Sequence, residues 1–272
     1  MRPMLKVNTI SLNSRKVGLL GTSALVCLAL SGPVIAADFV ITSGTTTNDG
    51  EIINGGDTLT VTGALAVNGL NVKGTTTTNG TNTVTVSETG SITSGGKFGF
   101  GILHTGNKNT TTMSGSITTT KTGSPAPDYD QAHGIYNNGD ENKTTVSGSI
   151  TTKGVNTSGI YNLGDKNVTT VSGTGSIVMT GADSQGIRSK GDKNTTTFAG
   201  SIKVTGSLSA GISFEGVDNE VYISGTVHAS GTGPNLALES NGGSGNTFTL
   251  NEGATIIGDI WADGAANNKL NF

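Results

Sequence analysis

The sequence predicts an all-β chain wound as a parallel β-helix of roughly eight coils with repeats of about 25–27 residues. Three observations carry that prediction: an asparagine-anchored repeat, a period-two alternation inside each repeat, and a composition too poor in apolar residues for one large globular core. Of the 272 residues, 33% are hydrophobic, 4% aromatic and 13% charged, and 43 are glycine. An ordinary domain of this size carries more apolar residues, and disorder usually goes with high net charge. A stack of short coils, each burying only a few side chains, fits both facts.

The repeat is plainest from Gly134-Ile135-Tyr136-Asn137-Asn138-Gly139-Asp140-Glu141-Asn142 to Gly159-Ile160-Tyr161-Asn162-Leu163-Gly164-Asp165-Lys166-Asn167. Anchor asparagines recur at Asn82, Asn109, Asn142, Asn167, Asn194, Asn219, Asn246 and Asn268, with spacings of 27, 33, 25, 27, 25, 27 and 22. The long interval contains 121–131, with Pro125 and Pro127, and reads as a loop inserted between coils. Counting from each anchor, position four is Val86, Met113, Val146, Val171, Phe198, Ile223, Leu250 and Phe272, apolar throughout. Position two is Val84, Thr111, Thr144, Thr169, Thr196, Val221, Phe248 and Leu270. Alternation of this kind marks a strand with positions two and four facing inward. Threonine is acceptable there if its hydroxyl finds a partner. A second strand carries Ile92, Ile117, Ile150, Ile177, Ile202 and Val227, and a third Ile102, Ile135, Ile160, Ile187 and Ile212. Gly, Asn and Asp separate the strands and supply turns. Three strands per repeat make one coil, and stacked coils align like residues into ladders about 4.8 Å apart.

The ends divide the chain further. Arg15 and Lys16 precede an apolar stretch from Val17 to about Leu30, and Val34-Ile35-Ala36-Ala37 offers small residues for a signal peptidase. Residues 1–36 therefore read as a secretion signal; a stretch of ~14 apolar residues is shorter than the ~20 a spanning helix needs. Residues 37–69 read as an N-terminal capping or first-coil region, and 70–272 as β-helix repeats ending mid-repeat. Cys27 lies in the signal, so disulfides play no part after cleavage. Removing the signal and its flanking alanine leaves 12 basic against 19 acidic residues, a net charge of −7. With no basic cluster, nucleic acid is not an expected partner.

Units such as Asn82-Thr83-Val84-Thr85-Val86-Ser87, Gly148-Ser149-Ile150 and Gly258-Asp259-Ile260-Trp261 resemble the passenger repeats of autotransporters, the type V secreted proteins of Gram-negative bacteria. The likeness spans roughly Ala37 to Phe272 and lies in style and spacing. It implies a right-handed β-helix, displayed at the cell surface or outer membrane or released outside. The family's C-terminal translocating barrel has no counterpart in this sequence and is expected from missing sequence. Without a barrel, the exported chain would stay periplasmic.

No catalytic, cofactor-binding or metal-binding set emerges, and no cofactor is expected. Asp140, Asp165 and Asp192 recur two residues before the anchor and could stack as a surface ladder for a cation or a glycan. The plainer reading is a turn residue bonding its own backbone, since Asn107, Val217 and Ser244 replace Asp in flanking coils. His104, His133 and His228 are isolated in sequence and read as surface or turn residues. Gly242-Gly243-Ser244-Gly245-Asn246-Thr247 is similar to a calcium-binding nonapeptide but lacks its Asp and occurs once. The outward threonines Thr83/Thr85, Thr110/Thr112, Thr195/Thr197 and Thr247/Thr249 form a hydroxyl array interrupted by Lys143, Val168 and Glu220. The expectation is a non-enzymatic surface passenger serving adhesion or display, its partner a host-cell, matrix or glycan ligand. The alternatives are a glycan-acting β-helix enzyme using the Asp ladder, or the remnant of a decayed gene.

Overall fold

Each of the short strands predicted above pairs with the equivalent strand one repeat away, and that pairing generates the architecture. The computed structural model describes residues 56–68, 81–96, 99–120, 132–263 and 267–272, together with the short strands at 16–18, 38–41, 45–47, 51–54 and 73–78. Among the described residues there are only strands and turns. The strands form three sheets of eleven, nine and nine strands, all paired in parallel; each sheet takes one strand from every complete coil, and the first adds Lys16–Gly18 and Lys269–Asn271 at its two ends. Thr83–Val86, Ser91–Gly95 and Phe100–Thr105 give the first, second and third faces of one coil. The chain is thus a β-solenoid with a repeat of about 26 residues. The inserted segment 121–131 and most of the predicted signal lie outside the described residues; Lys16–Gly18 within that signal pairs with Asp38–Ile41.

Register follows the anchor numbering. Thr110 pairs with Thr83 and Met113 with Val86, and the same offsets hold upward through Thr247 and Leu250. They also hold downward: Thr58 pairs with Thr83, so Asp57 occupies an anchor position and Thr58–Val61 is a further coil strand. Sequence reading started the anchor series at Asn82 because Asp replaces Asn here, although Leu59 and Val61 keep the inward pattern and are fully buried.

The core is a bundle of ladders. Position four is fully buried from Val86 to Ile223. The isoleucines of the second and third faces are buried beside it, and all belong to one apolar cluster. Each such side chain contributes roughly 1.5–3 kcal/mol on burial, and the stack as a whole encloses what no coil could enclose alone. The last two rungs differ from expectation. Leu250 is half-buried and Phe272 is 92% exposed. Lys269–Asn271 pairs with Thr247–Thr249, so Phe272 lies past the last paired residue with no coil laid against it.

The inward threonines at position two are fully buried, and their partners come from the third face seven residues earlier. Thr111 Oγ1 lies 2.6 Å from His104 Nε2, and Asn137 and Asn162 donate to Thr144 and Thr169, each at 3.0 Å. His104, Asn137, Asn162, Ser189 and Phe214 are consecutive in register. The hydrogen-bonded row therefore thins at Ser189 and becomes apolar at Phe214, opposite Val221. Thr196, opposite Ser189, is left with no partner for its hydroxyl.

Thr196→Val should remove a buried, unpartnered hydroxyl and raise stability by about 1 kcal/mol in urea denaturation. Thr144→Val makes the same change in shape but takes the acceptor from one N–H of Asn137 Nδ2, whose other N–H still donates to Asn162 Oδ1, and should lower stability by about 1 kcal/mol. Equal effects of the two substitutions would contradict this account of the row.

Candidate functional site

Because the inside is filled by ladders, the chemistry open to solvent is that of the outward rows and the turns. The turn before each anchor is the most regular. Its glycine (Gly106, Gly139, Gly164, Gly191, Gly216) has φ between 132° and 146°. At Gly139 an added Cβ would sit 2.4 Å from the Gly106 carbonyl oxygen, so close stacking of the turns excludes a side chain. The residue before the anchor is left-handed as well: Lys108, Glu141, Lys166, Lys193 and Asp218 have φ of 56–61°.

Between these two residues sit Asp140, Asp165 and Asp192. The structure does stack them, and it assigns their oxygens a partner. Oδ1 of Asp140 accepts the Asp165 N–H, Oδ1 of Asp165 the Asp192 N–H, and Oδ1 of Asp192 the Val217 N–H, all at 2.8 Å. The bonded backbone belongs to the next coil, where the sequence suggested each residue's own. Asn107 accepts the Asp140 N–H in the same way at 2.8 Å, so the position works without a charge. The ladder is a coil-to-coil clamp. Among the described residues, no group of three or more His, Cys, Asp or Glu could hold a metal ion.

The histidines correct the expectation of surface or turn residues. His104 and His133 are 1% and 2% exposed, while His228 is half-buried on the second face. Burial pushes both rings down to about 3, helped at His133 by the charge of Arg188. His133 Nδ1 accepts the Ser158 N–H at 2.8 Å, and its Nε2 has no hydrogen-bond partner.

The outward threonines line up as expected. At position three Thr60, Thr85, Thr112, Thr145, Thr170 and Thr197 follow one another without a break, and Tyr222 interrupts the row. At position one Lys143, Val168 and Glu220 stand among the threonines. The Gly242–Thr247 segment is a turn in which Gly242, Gly243 and Gly245 take positive φ and Asn246 serves as the anchor.

The most varied surface is on the third face, and sequence reading passed over it. The residue after each inward isoleucine points out, giving in register Leu103, Tyr136, Tyr161, Arg188, Ser213 and Glu239, with Trp261 after them. Phe100, Tyr136 and Tyr161 stack with ring centroids 5.4 and 5.1 Å apart. Burial, with the neighbouring Tyr161, pushes the Tyr136 hydroxyl up to about 12, partly opposed by Arg188. The Arg188 guanidinium lies 5.0 Å from the Tyr161 centroid, and Glu215 holds Arg188 at 3.5 Å and Lys190 at 2.8 Å. The stacked rings cover one another's faces, so they are no open platform for a ligand. They support Arg188 from below; beyond it Ser213 is buried, and Glu239 is partly exposed. The signal for this row was available: it is the residue after Gly-Ile in successive repeats.

Two measurements check these assignments. Asp165→Asn should leave the melting temperature nearly unchanged, whereas Asp165→Ala should lose a hydrogen-bond acceptor and cost about 1 kcal/mol. For the histidines, folded rings at about 3 stay neutral while unfolded ones, near 6.5, take up protons. Stability is then full above pH 6.5 and falls as the pH drops from there towards 3, by about 1.4 kcal/mol per pH unit for each ring. His104→Asn copies the neighbouring coils and should remove one ring's share, leaving the variant about 2 kcal/mol less acid-sensitive between pH 6.5 and 5. An unchanged pH slope would count against a neutral buried His104.

Compared with protein-family models, with curated proteins and with solved structures, the chain finds no match, so its function is argued from the solenoid's own surface.

Proposed function

We propose that this chain is an exported, non-enzymatic solenoid that serves adhesion or surface display, in the manner of an autotransporter passenger. The observation that carries the proposal is the division of labour between inside and outside. Inward positions are committed to ladders, and outward positions form long rows in which hydroxyl and charged side chains meet solvent. Extended rows of this kind suit a rigid surface that meets another surface along its length. The Asp ladder favours the same reading over a glycan-acting enzyme, because one oxygen of each carboxylate is used to clamp the next coil.

Beads coated with the purified chain should adhere to host cells, to abiotic surfaces or to cells bearing the same protein. Failure on all three would overturn the adhesive reading. Incubating the same preparation with a polysaccharide panel should release neither reducing ends nor unsaturated products; release of either would overturn the non-enzymatic one.

A further inference from the structure

Beyond Arg188 the outward row of the third face drops to Ser213 and rises again at Glu239. The step leaves a recess across three coils, lined by Gln185, Arg188, Ser213, Glu215, Glu239 and Asn241, with Leu208 and Leu236 at its edge. We infer that this recess binds one neutral saccharide unit of a surface glycan; the inference rests on the adhesive reading and gives it a site.

Four features point to that ligand. The lining offers donors and acceptors together: the Arg188 guanidinium and the Gln185 and Asn241 amides donate, and Glu215, Glu239 and the Ser213 hydroxyl accept. Hydroxyl groups, which do both, match such a mixture. Charge is balanced, with Arg188 and neighbouring Lys190 against Glu215 and Glu239, so neither a polyanion nor a polycation is favoured. Arg188 is held in place by the Tyr161 ring on one side and Glu215 on the other, so little side-chain freedom is lost on binding. Finally, no hydrogen bond or ion pair engages the partly exposed Glu239 side chain among the described residues, so its carboxylate is open to a ligand hydroxyl. A few convergent polar groups are what orient a small ligand.

The test uses the full chain and three probes: methyl glycosides of a neutral hexose, an N-acetylhexosamine and a hexuronic acid, followed by saturation-transfer NMR and competition. Saturable binding of the hexose or N-acetylhexosamine is expected, weakened at least tenfold by Glu239→Ala and by the recess-filling Ser213→Phe. Tyr222→Ala, on the first face, should leave it intact. Melting curves identify any variant that fails to fold, and Glu239→Ala, at a partly exposed position, keeps the test alive if Ser213→Phe does. Absence of saturable binding, equal binding by Glu239→Ala, or preference for the hexuronic acid would overturn the inference. Beads that still adhere while no glycoside binds would overturn the recess alone. Glycoside binding that Glu239→Ala abolishes, on beads that adhere nowhere, would uphold the recess and overturn the adhesive reading.

Discussion

In every coil the anchor asparagine places its side-chain carbonyl against the backbone of the coil before it. Asn82 N–H donates to Asn109 Oδ1, Asn109 to Asn142, and so on to Asn246 and Asn268, at 2.8–3.0 Å. From Asn82 to Asn246 these side chains are essentially inaccessible to water. A buried N–H must have a partner, and at a turn the sheet ladder cannot provide one. The side-chain amide does, and its reach of one coil spacing fixes which residue of one coil lies over which residue of the next. Register in all three sheets follows from that alignment.

The Asp140 row, two residues earlier, runs with the opposite polarity. There the later coil's N–H donates to the earlier coil's side chain, whereas along the asparagine row the earlier coil donates to the later one. The left-handed residue between the rows donates its own N–H upward as well: Glu141 to the Asp165 carbonyl and Lys166 to the Asp192 carbonyl, both at 2.9 Å. A non-glycine residue in that conformation costs roughly 1–2 kcal/mol. Successive coils bear that cost because the turn satisfies all of these donors at once. The acidic row therefore belongs to the folding chemistry, and its charge is incidental to its place.

How far the sequence discloses this depends on which constraint each residue obeys. Position four shows itself by apolar identity, so Val86 to Ile223 could be read directly. The anchor asparagines show themselves by spacing, though the partner of each amide could not be inferred, because it lies 22–33 residues away. Asp57 was missed as an anchor since a row can open with a different residue. The burial of His104 was missed because its role is that of Asn137 and Asn162, and the three side chains share only the ability to reach a threonine hydroxyl. The Arg188 recess was missed for another reason. Outward residues obey no repeat, and a residue that departs from the repeat looks like noise until register places it beside its neighbours.

That last point bears on where function can reside in this fold. A change at an inward position is felt by the coils above and below, as Ser189 illustrates: it is small where its neighbour in register is the fully buried Phe214, and Thr196 loses its partner in consequence. Outward positions are less tightly coupled, although rings and ion pairs still join successive coils at Tyr136, Tyr161, Arg188 and Glu215, so their identities vary more from coil to coil. Along the first face that freedom is little used, and threonine recurs as the residue best suited to an exposed strand. Along the third face it is used fully, with aromatic, cationic, small and acidic residues in succession at one register position. On that face the stacked Phe100, Tyr136 and Tyr161 and the ion-paired Arg188 are accounted for by contacts between coils, whereas Glu239 makes no such contact among the described residues, and it is Glu239 that the inferred ligand site would explain.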